Sequence, residues 1–240
     1  MSKFQKKKAM RIAGTAADIT AMTVGGALRL AVRIAVTALL VFITTDAAIS
    51  PAMLQKALSA DIKDTFNMVS VDGDTSTNDM VTLMANGQAG NDLITTEGED
   101  FDAFMKALNT LTVYLCRCIA ADGEGATRLF ECEVKGGKDL ESARKIAKSV
   151  ICSSLMKAAI FGADANWGRV LCAMGYSGED FDPDKVSISF VSDAGEVLVC
   201  ENGRGVDFSE ETAKEVLSQE EVIIDIRMQE GTEQAICWGC

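Results

Sequence analysis

Apolar and polar positions along this chain alternate in two periods, and the switches between them predict the elements. Residues 34–43 form an uninterrupted apolar run ending in Thr44-Thr-Asp-Ala47, the pattern of a buried strand running into a polar turn. Ser50-Pro51 then sets an N-cap and first helical position, and a helix is expected over 51–67 with Met53, Leu54, Leu58, Ile62 and Phe66 on one face. A turn-rich loop over 69–79, a strand over 81–85 and a second loop over 86–91 follow. Phe101, Phe104, Leu108, Leu111 and Leu115 recur at helical spacing and predict a long helix over 99–121. Beyond the loop 122–127 come an alternating strand over 128–135 and a helix over 140–161 capped by Asp139. The loop 162–168 enters a short helix ending near Gly175. Two runs, 186–191 and 196–200, flank Ser192-Asp-Ala-Gly195 as a hairpin. After the turn 202–205, Ser209 caps an amphipathic helix, and strands over 222–228 and 234–238 close the sequence. Long helices interleaved with strands make an α/β, layered α+β class, with mixed sheets covered by helices. No internal repeat is present. The sequence stops at Cys240 within the last predicted strand, so a domain incomplete at its C-terminus is expected.

Charge divides the chain in two. Residues 1–35 carry seven Lys/Arg against one acid, Asp18, while the whole chain has a net charge of −12. Residues 1–36 therefore stand apart as an atypical basic tail, and 37–240 as the domain. A membrane anchor is disfavoured, since Arg29 and Arg33 would enter the bilayer and the apolar run 34–43 is too short to span it. A targeting peptide fits the basic, acid-poor composition. A tail foreign to the domain, such as a break in reading frame would produce, fits the abrupt change of character. The acidic body repels phosphate backbones, so no nucleic-acid partner is expected.

There is no histidine. That excludes a Ser-His-Asp or Cys-His apparatus and any His-ligated metal within this chain. A base must come from a carboxylate, lysine, tyrosine or α-amino group. Eight cysteines, at 116, 118, 132, 152, 172, 200, 237 and 240, sit mostly inside apolar patterns and read as reduced core residues. Cys116-x-Cys118 and Cys237-x-x-Cys240 lie far apart and lack histidines, so neither zinc nor a redox pair is expected. The loop from Asp72 resembles a calcium loop only in part: Thr77 stands where a glycine is required and Leu83 where a glutamate is. No metal is expected there. The polar loops 44–47, 72–79, 122–127, 164–168 and 202–205 are the places where a site could be lined, although turn chemistry alone accounts for their composition.

Several of these loops carry longer motifs. They are Val41-Phe-Ile-Thr-Thr-Asp-Ala47, Phe66-Asn-Met-Val-Ser-Val-Asp-Gly-Asp-Thr-Ser-Thr-Asn-Asp79, Ala121-Asp-Gly-Glu-Gly-Ala-Thr127, Gly162-Ala-Asp-Ala-Asn-Trp-Gly-Arg169, Gly175-Tyr-Ser-Gly178, Val199-Cys-Glu-Asn-Gly-Arg-Gly205 and Trp238-Gly-Cys240. Through them the chain from about Leu39 onward resembles the ornithine acetyltransferase, or bifunctional glutamate N-acetyltransferase, family of arginine biosynthesis, in its second-chain portion. The resemblance implies a sandwich of stacked sheets between helices. It also implies a cytoplasmic enzyme moving acetyl from N-acetylornithine to glutamate through an acetyl-threonine, after autocatalytic cleavage exposes that threonine. The free α-amino group would serve as the base, and no cofactor or metal is implied. An oligomer of amino-acid-binding subunits without a membrane partner is expected.

Residue by residue, only Glu124 maps onto a substrate-binding position of the family. Thr37 is the candidate nucleophile, one place before Ala38, where the ungapped register falls. The segment before it, the family's first chain and the segment after Trp-Gly-Cys have no counterpart here. A weakly active or inactive chain is the expectation. The competing expectation is a non-catalytic interaction protein that pairs with a first chain.

Overall fold

The computed structural model describes residues 19–23 and 26–35 as strands, and residues 40–74 and 76–240 with their side chains. It divides into two compact units, one of residues up to 67 with 74–115, the other of 68–73 with 116–240. Both are mixed α/β, as the alternation of periods predicts.

The first unit is built on a four-stranded sheet of order β1-β2-β3-β5, with β1 (Ile19–Thr23), β2 (Gly26–Ala35), β3 (Leu40–Thr45) and β5 (Met80–Ala85). β1, β2 and β3 pair antiparallel in turn, and β3 pairs parallel with β5. A parallel pair needs a crossover, which α1 (Pro51–Asp61) supplies. The apolar run 34–43 is thus not one strand but the end of β2 and the start of β3. The arginines at 29 and 33, which break the hydrophobic run, hid β2 from the sequence reading.

On β3 the alternation is clean: Val41, Ile43 and Thr45 are buried while Phe42 faces outward with Met84 of β5. Ser50 caps α1 by accepting from the Met53 N–H at 3.4 Å. The helix ends at Asp61, not 67, and is followed by a 3₁₀ turn over Phe66–Met68. Its buried stripe is Met53, Ala57 and Asp61, whereas Leu54, Leu58 and Ile62 are only half-buried. Of the expected stripe Met53 and Phe66 are buried, and a charged residue, Asp61, takes a core position beside them. There Asp61 is held by the side chains of Thr65 and Asn109, at 3.2 and 3.0 Å.

α2 (Glu99–Ala121) has the bounds its periodicity predicts, and Phe101, Phe104, Leu108, Leu111 and Leu115 are all buried. Its residues to Leu115 belong to the first unit and its last turn and a half to the second.

The second unit has a seven-stranded sheet of order β4-β11-β6-β10-β7-β8-β9. Its strands are β4 (Val69–Ser70), β6 (Leu129–Gly137), β7 (Ser187–Ser192), β8 (Gly195–Glu201), β9 (Arg204–Gly205), β10 (Glu221–Arg227) and β11 (Glu233–Gly239). β6 pairs parallel with β10 and antiparallel with β11, while β7 and β8 form the expected hairpin. Phe130, Cys132 and Val134 are buried without exposure on one face of β6. α3 (Leu140–Cys152), α4 (Ser154–Gly162), α5 (Trp167–Gly175) and α6 (Glu210–Leu217) complete the unit.

The single helix expected over 140–161 is two. Ser153 leaves the helical region, with φ −69° and ψ 114°, and its hydroxyl accepts from the Met156 N–H at 3.3 Å. It ends α3 and caps α4, because its hydroxyl offers the backbone a partner that helix geometry does not. Nothing in the apolar periodicity marks that break.

Candidate active site

The loop between α2 and β6 is a tight turn with a carboxylate at its tip. The Ala126 N–H donates to the Gly123 carbonyl at 3.0 Å, closing a four-residue turn in which Glu124 and Gly125 are central. Gly125 takes φ +74°, a backbone that a side chain would strain. The base of the turn is fixed by packing. A Cβ on Gly123 would collide with Cys240 Sγ and Val71 Cγ1, so glycine is the one residue that lets the turn sit this close to β11 and to the segment after β4.

Glu124 is exposed and stands at the rim of a cavity of about 330 Å³. Gly125, Ala126 and Thr127 of the same loop, Val71, Cys240, Arg128 and the Lys157–Phe161 side of α4 line it. Two cations stand in that wall, and both are engaged with backbone. Arg128 Nη1 donates to the Ile160 and Phe161 carbonyls, each at 2.8 Å, and so caps the C-terminal end of α4. Lys157 Nζ donates to the backbone oxygens of Ser70, Val71 and Cys240. Burial pushes the pKa of both groups below the ordinary range, for Lys157 against the pull of nearby negative charge. Among the described residues no hydrogen bond or ion pair engages the Glu124 carboxylate. The cavity therefore offers an anionic acceptor at its rim, suited to an ammonium or amide N–H, against walls whose cations are already used.

Of the sequence-picked loops, 122–127 is the one that lines this cavity, joined by Val71 from the edge of the 69–79 loop and Cys240 from the Trp238-Gly-Cys motif. Loops 164–168 and 202–205 come together elsewhere: Gly205 lies against the Trp167 indole, where a Cβ would approach Cζ2 to 2.7 Å. The 44–47 loop belongs to the first unit. There the Ala47 N–H donates to Thr45 Oγ1 at 3.2 Å and Asn91 brackets both backbone groups of Ala48, which is turn chemistry. Thr37 and Ala38 lie outside the described residues. All eight cysteines are free thiols, with Cys152 and Cys172 exposed, contrary to the core setting expected of them. Among the described residues no three metal-ligating side chains converge, and no helix is long and apolar enough to cross a membrane.

Sequence reasoning missed Lys157 and Arg128. The signal for Lys157 was present: it is the one charge between Ser153 and Ala163, a segment otherwise apolar and small. A lone cation in such a helix has to find buried acceptors.

Fold and cavity together define an α/β protein whose larger unit carries a cavity with a carboxylate, Glu124, in its lining. Comparison with known proteins narrows that class, because the ArgJ family model matches residues 2–240, and the chain belongs to the ArgJ family. The matched span takes in the basic N-terminal stretch as well as the domain behind it. Similar relatives include "Arginine biosynthesis bifunctional protein ArgJ 1" of Clostridium acetobutylicum, 50% identical over 84% of this chain and 50% of its own length. The ArgJ protein of Thermotoga neapolitana is also 50% identical, over 84% of this chain and 51% of its own length. That of Symbiobacterium thermophilum is 44% identical over 99% of this chain and 58% of its own. The chain thus spans about half the length of the curated relatives it matches. A crystal structure of arginine biosynthesis bifunctional protein ArgJ from Bacillus halodurans superposes with a TM-score of 0.78 at 44% identity, over 83% of this chain and 92% of that one.

Proposed function

We propose that this chain is one part of an acetyltransferase that moves acetyl from N-acetylornithine to glutamate, with Glu124 binding the amino-acid substrate. The observation that carries the reading is the Glu124 carboxylate, exposed on a glycine-built turn at the rim of a cavity whose two cations are committed to backbone oxygens. A carboxylate so placed suits a substrate with an ammonium group, which ornithine and glutamate both carry.

The chemistry needs a hydroxyl nucleophile. Its oxygen attacks the acetyl carbonyl of N-acetylornithine, the amide C–N bond breaks, and the hydroxyl proton ends on the departing ornithine amine. The glutamate amine then attacks the acetyl ester, the C–O bond breaks, and a proton returns to the hydroxyl. No cofactor enters. With no histidine in the chain, the free amine of an N-terminal threonine, with a pKa of about 8, is the natural base. Thr37 is the candidate, released by autocatalytic cleavage before it. Cytoplasmic placement accords with eight free thiols, and assembly with further subunits accords with the apolar surface at Leu155, which is 59% exposed, and Phe161, at 69%.

By itself the chain is nearly inactive in this reading. It spans half the length of its relatives, the ungapped family register puts Ala38 at the nucleophile, and losing one oxyanion donor alone costs about 3–4 kcal/mol. The test is an assay of the purified chain with N-acetylornithine and glutamate, with intact mass measured in parallel. A rate orders of magnitude below that of a full-length relative is expected, and turnover at a full-length rate overturns the reading. A mature chain beginning at Thr37 identifies it as the nucleophile; an uncleaved chain removes it from that role.

A further inference from the structure

We propose that Lys157 is a positioning residue for Glu124, a role that rests on Glu124 being the substrate contact. Lys157 Nζ lies 2.8 Å from the backbone oxygen of Cys240, 2.9 Å from that of Val71 and 3.3 Å from that of Ser70. An ammonium has three N–H donors and no acceptor. All three are spent on main chain, so Lys157 does not read the ligand in the cavity it lines. Its charge also lies over the Phe130 ring, 5.4 Å from the centroid, which supports the ammonium from the buried side.

The three oxygens belong to two separate stretches of chain. Ser70 and Val71 lie at the end of β4, and Cys240 follows β11, which pairs with β4 only through Trp238 and Gly239. Beyond the end of that ladder Lys157 bridges the Val71 and Cys240 backbones. Main-chain oxygens converging on one point repel, and the cation between them reverses the sign of that interaction.

Val71 and Cys240 form the surface on which the turn is seated. Gly123 is packed against their side chains so closely that no Cβ fits, and Glu124 is the next residue. A shift of either segment therefore moves the base of the turn and the carboxylate at its tip. The path from Lys157 to Glu124 runs through direct contacts at every step. Arg128 plays no such part, since its guanidinium caps the C-terminal end of α4.

Two measurements on the full chain test this, using Lys157→Met, which keeps the stem and removes the donors. Lys157→Gln takes its place if the methionine variant fails to fold, and Lys157→Arg serves as the conservative variant. The first measurement is amide hydrogen exchange at Ala126, whose N–H closes the turn, with β7 amides as the control. The second is the affinity for L-ornithine by calorimetry, with Glu124→Gln as reference. Loss of the clamp is expected to speed Ala126 exchange and weaken ornithine binding by about tenfold each, with β7 unchanged and the arginine variant intermediate. Unchanged Ala126 exchange overturns the proposal, as does unchanged affinity in Lys157→Met where Glu124→Gln weakens it. If Glu124→Gln binds ornithine as wild type does, or wild type does not bind it, the Glu124 reading falls instead, and Ala126 exchange alone then decides whether Lys157 holds the turn.

Discussion

Trp238 Nε1 donates to Glu131 Oε2 at 3.0 Å, joining two directly paired residues of β11 and β6 on one face of the larger sheet. Both side chains are buried, and Glu131 is also ion-paired with Arg117 from the last turn and a half of α2. A buried carboxylate is tolerable only when its oxygens are satisfied, and here a tryptophan and an arginine divide the task.

Trp238→Phe removes one of those partners and leaves volume unfilled. Losing a hydrogen bond to a buried charged group predicts a loss of about 2–3 kcal/mol, read as a lower urea midpoint with unchanged slope. Adding Glu131→Gln to Trp238→Phe is expected to cost less than the sum of the two single changes, since both act on one interaction. Strict additivity would show that the pair does not act as a unit.

Ser153 ends one helix and caps the next, so Ser153→Ala takes a partner from the Met156 N–H in a position that is 6% exposed. Cap losses of this kind cost about 1 kcal/mol. Thermal unfolding of the variant is the measurement, and a stabilised protein would mean that the two helices prefer to merge.

How far the sequence showed this architecture depended on what sat at the core positions. α2 was legible because five large apolar residues hold its period over 23 residues, and β7–β8 because a two-residue turn separates two alternating runs. β2 was not, since Arg29 and Arg33 interrupt the hydrophobic signal of a strand that pairs with both its chain neighbours, β1 and β3. The Ser153 break was invisible for the opposite reason: apolar spacing continues through it, and only the backbone departs. Of the candidate site, the Glu124 turn could be read from its glycines and Lys157 from its isolation in an apolar segment, but the acceptors of Lys157 could not, because they come from stretches more than eighty residues away in either direction.

Asp61 carries a pH dependence of definite sign. Burial raises its pKa above the ordinary aspartate value, against hydrogen bonds from Asn109, Thr112 and Thr65 that lower it. The folded state therefore binds this proton more tightly than the unfolded state does. Stability from this group is greatest below the unfolded pKa of about 3.9 and falls as pH rises through the raised folded value, after which it is level. Asp61→Asn cannot titrate. Compared at a series of pH values from 4 upward, the wild type should lose ground to the variant through that window and then hold a constant difference. A difference that is flat with pH, or that runs the other way, would show that Asp61 is not the titrating group. The comparison tolerates a fixed cost of exchanging acid for amide, since only the slope is read.

Gly123→Ala tests the seating of the Glu124 turn from the other side. The backbone of Gly123 is not left-handed, so alanine is conformationally allowed, and its one added carbon would meet Cys240 Sγ and Val71 Cγ1. The turn has to move out by part of a bond length, and the Glu124 carboxylate with it. Overpacking typically costs about 1–3 kcal/mol, part of it here as strain and part as a displaced carboxylate. Weaker ornithine binding is expected together with a modest fall in melting temperature. Cys240→Ala removes the sulfur that the new methyl meets, and so should restore binding in the double variant while having little effect on its own. If Cys240→Ala leaves the Gly123→Ala defect untouched, the contact that fixes the turn lies with Val71 rather than with the thiol, and Gly123→Ala combined with Val71→Ala should then be the pair that recovers.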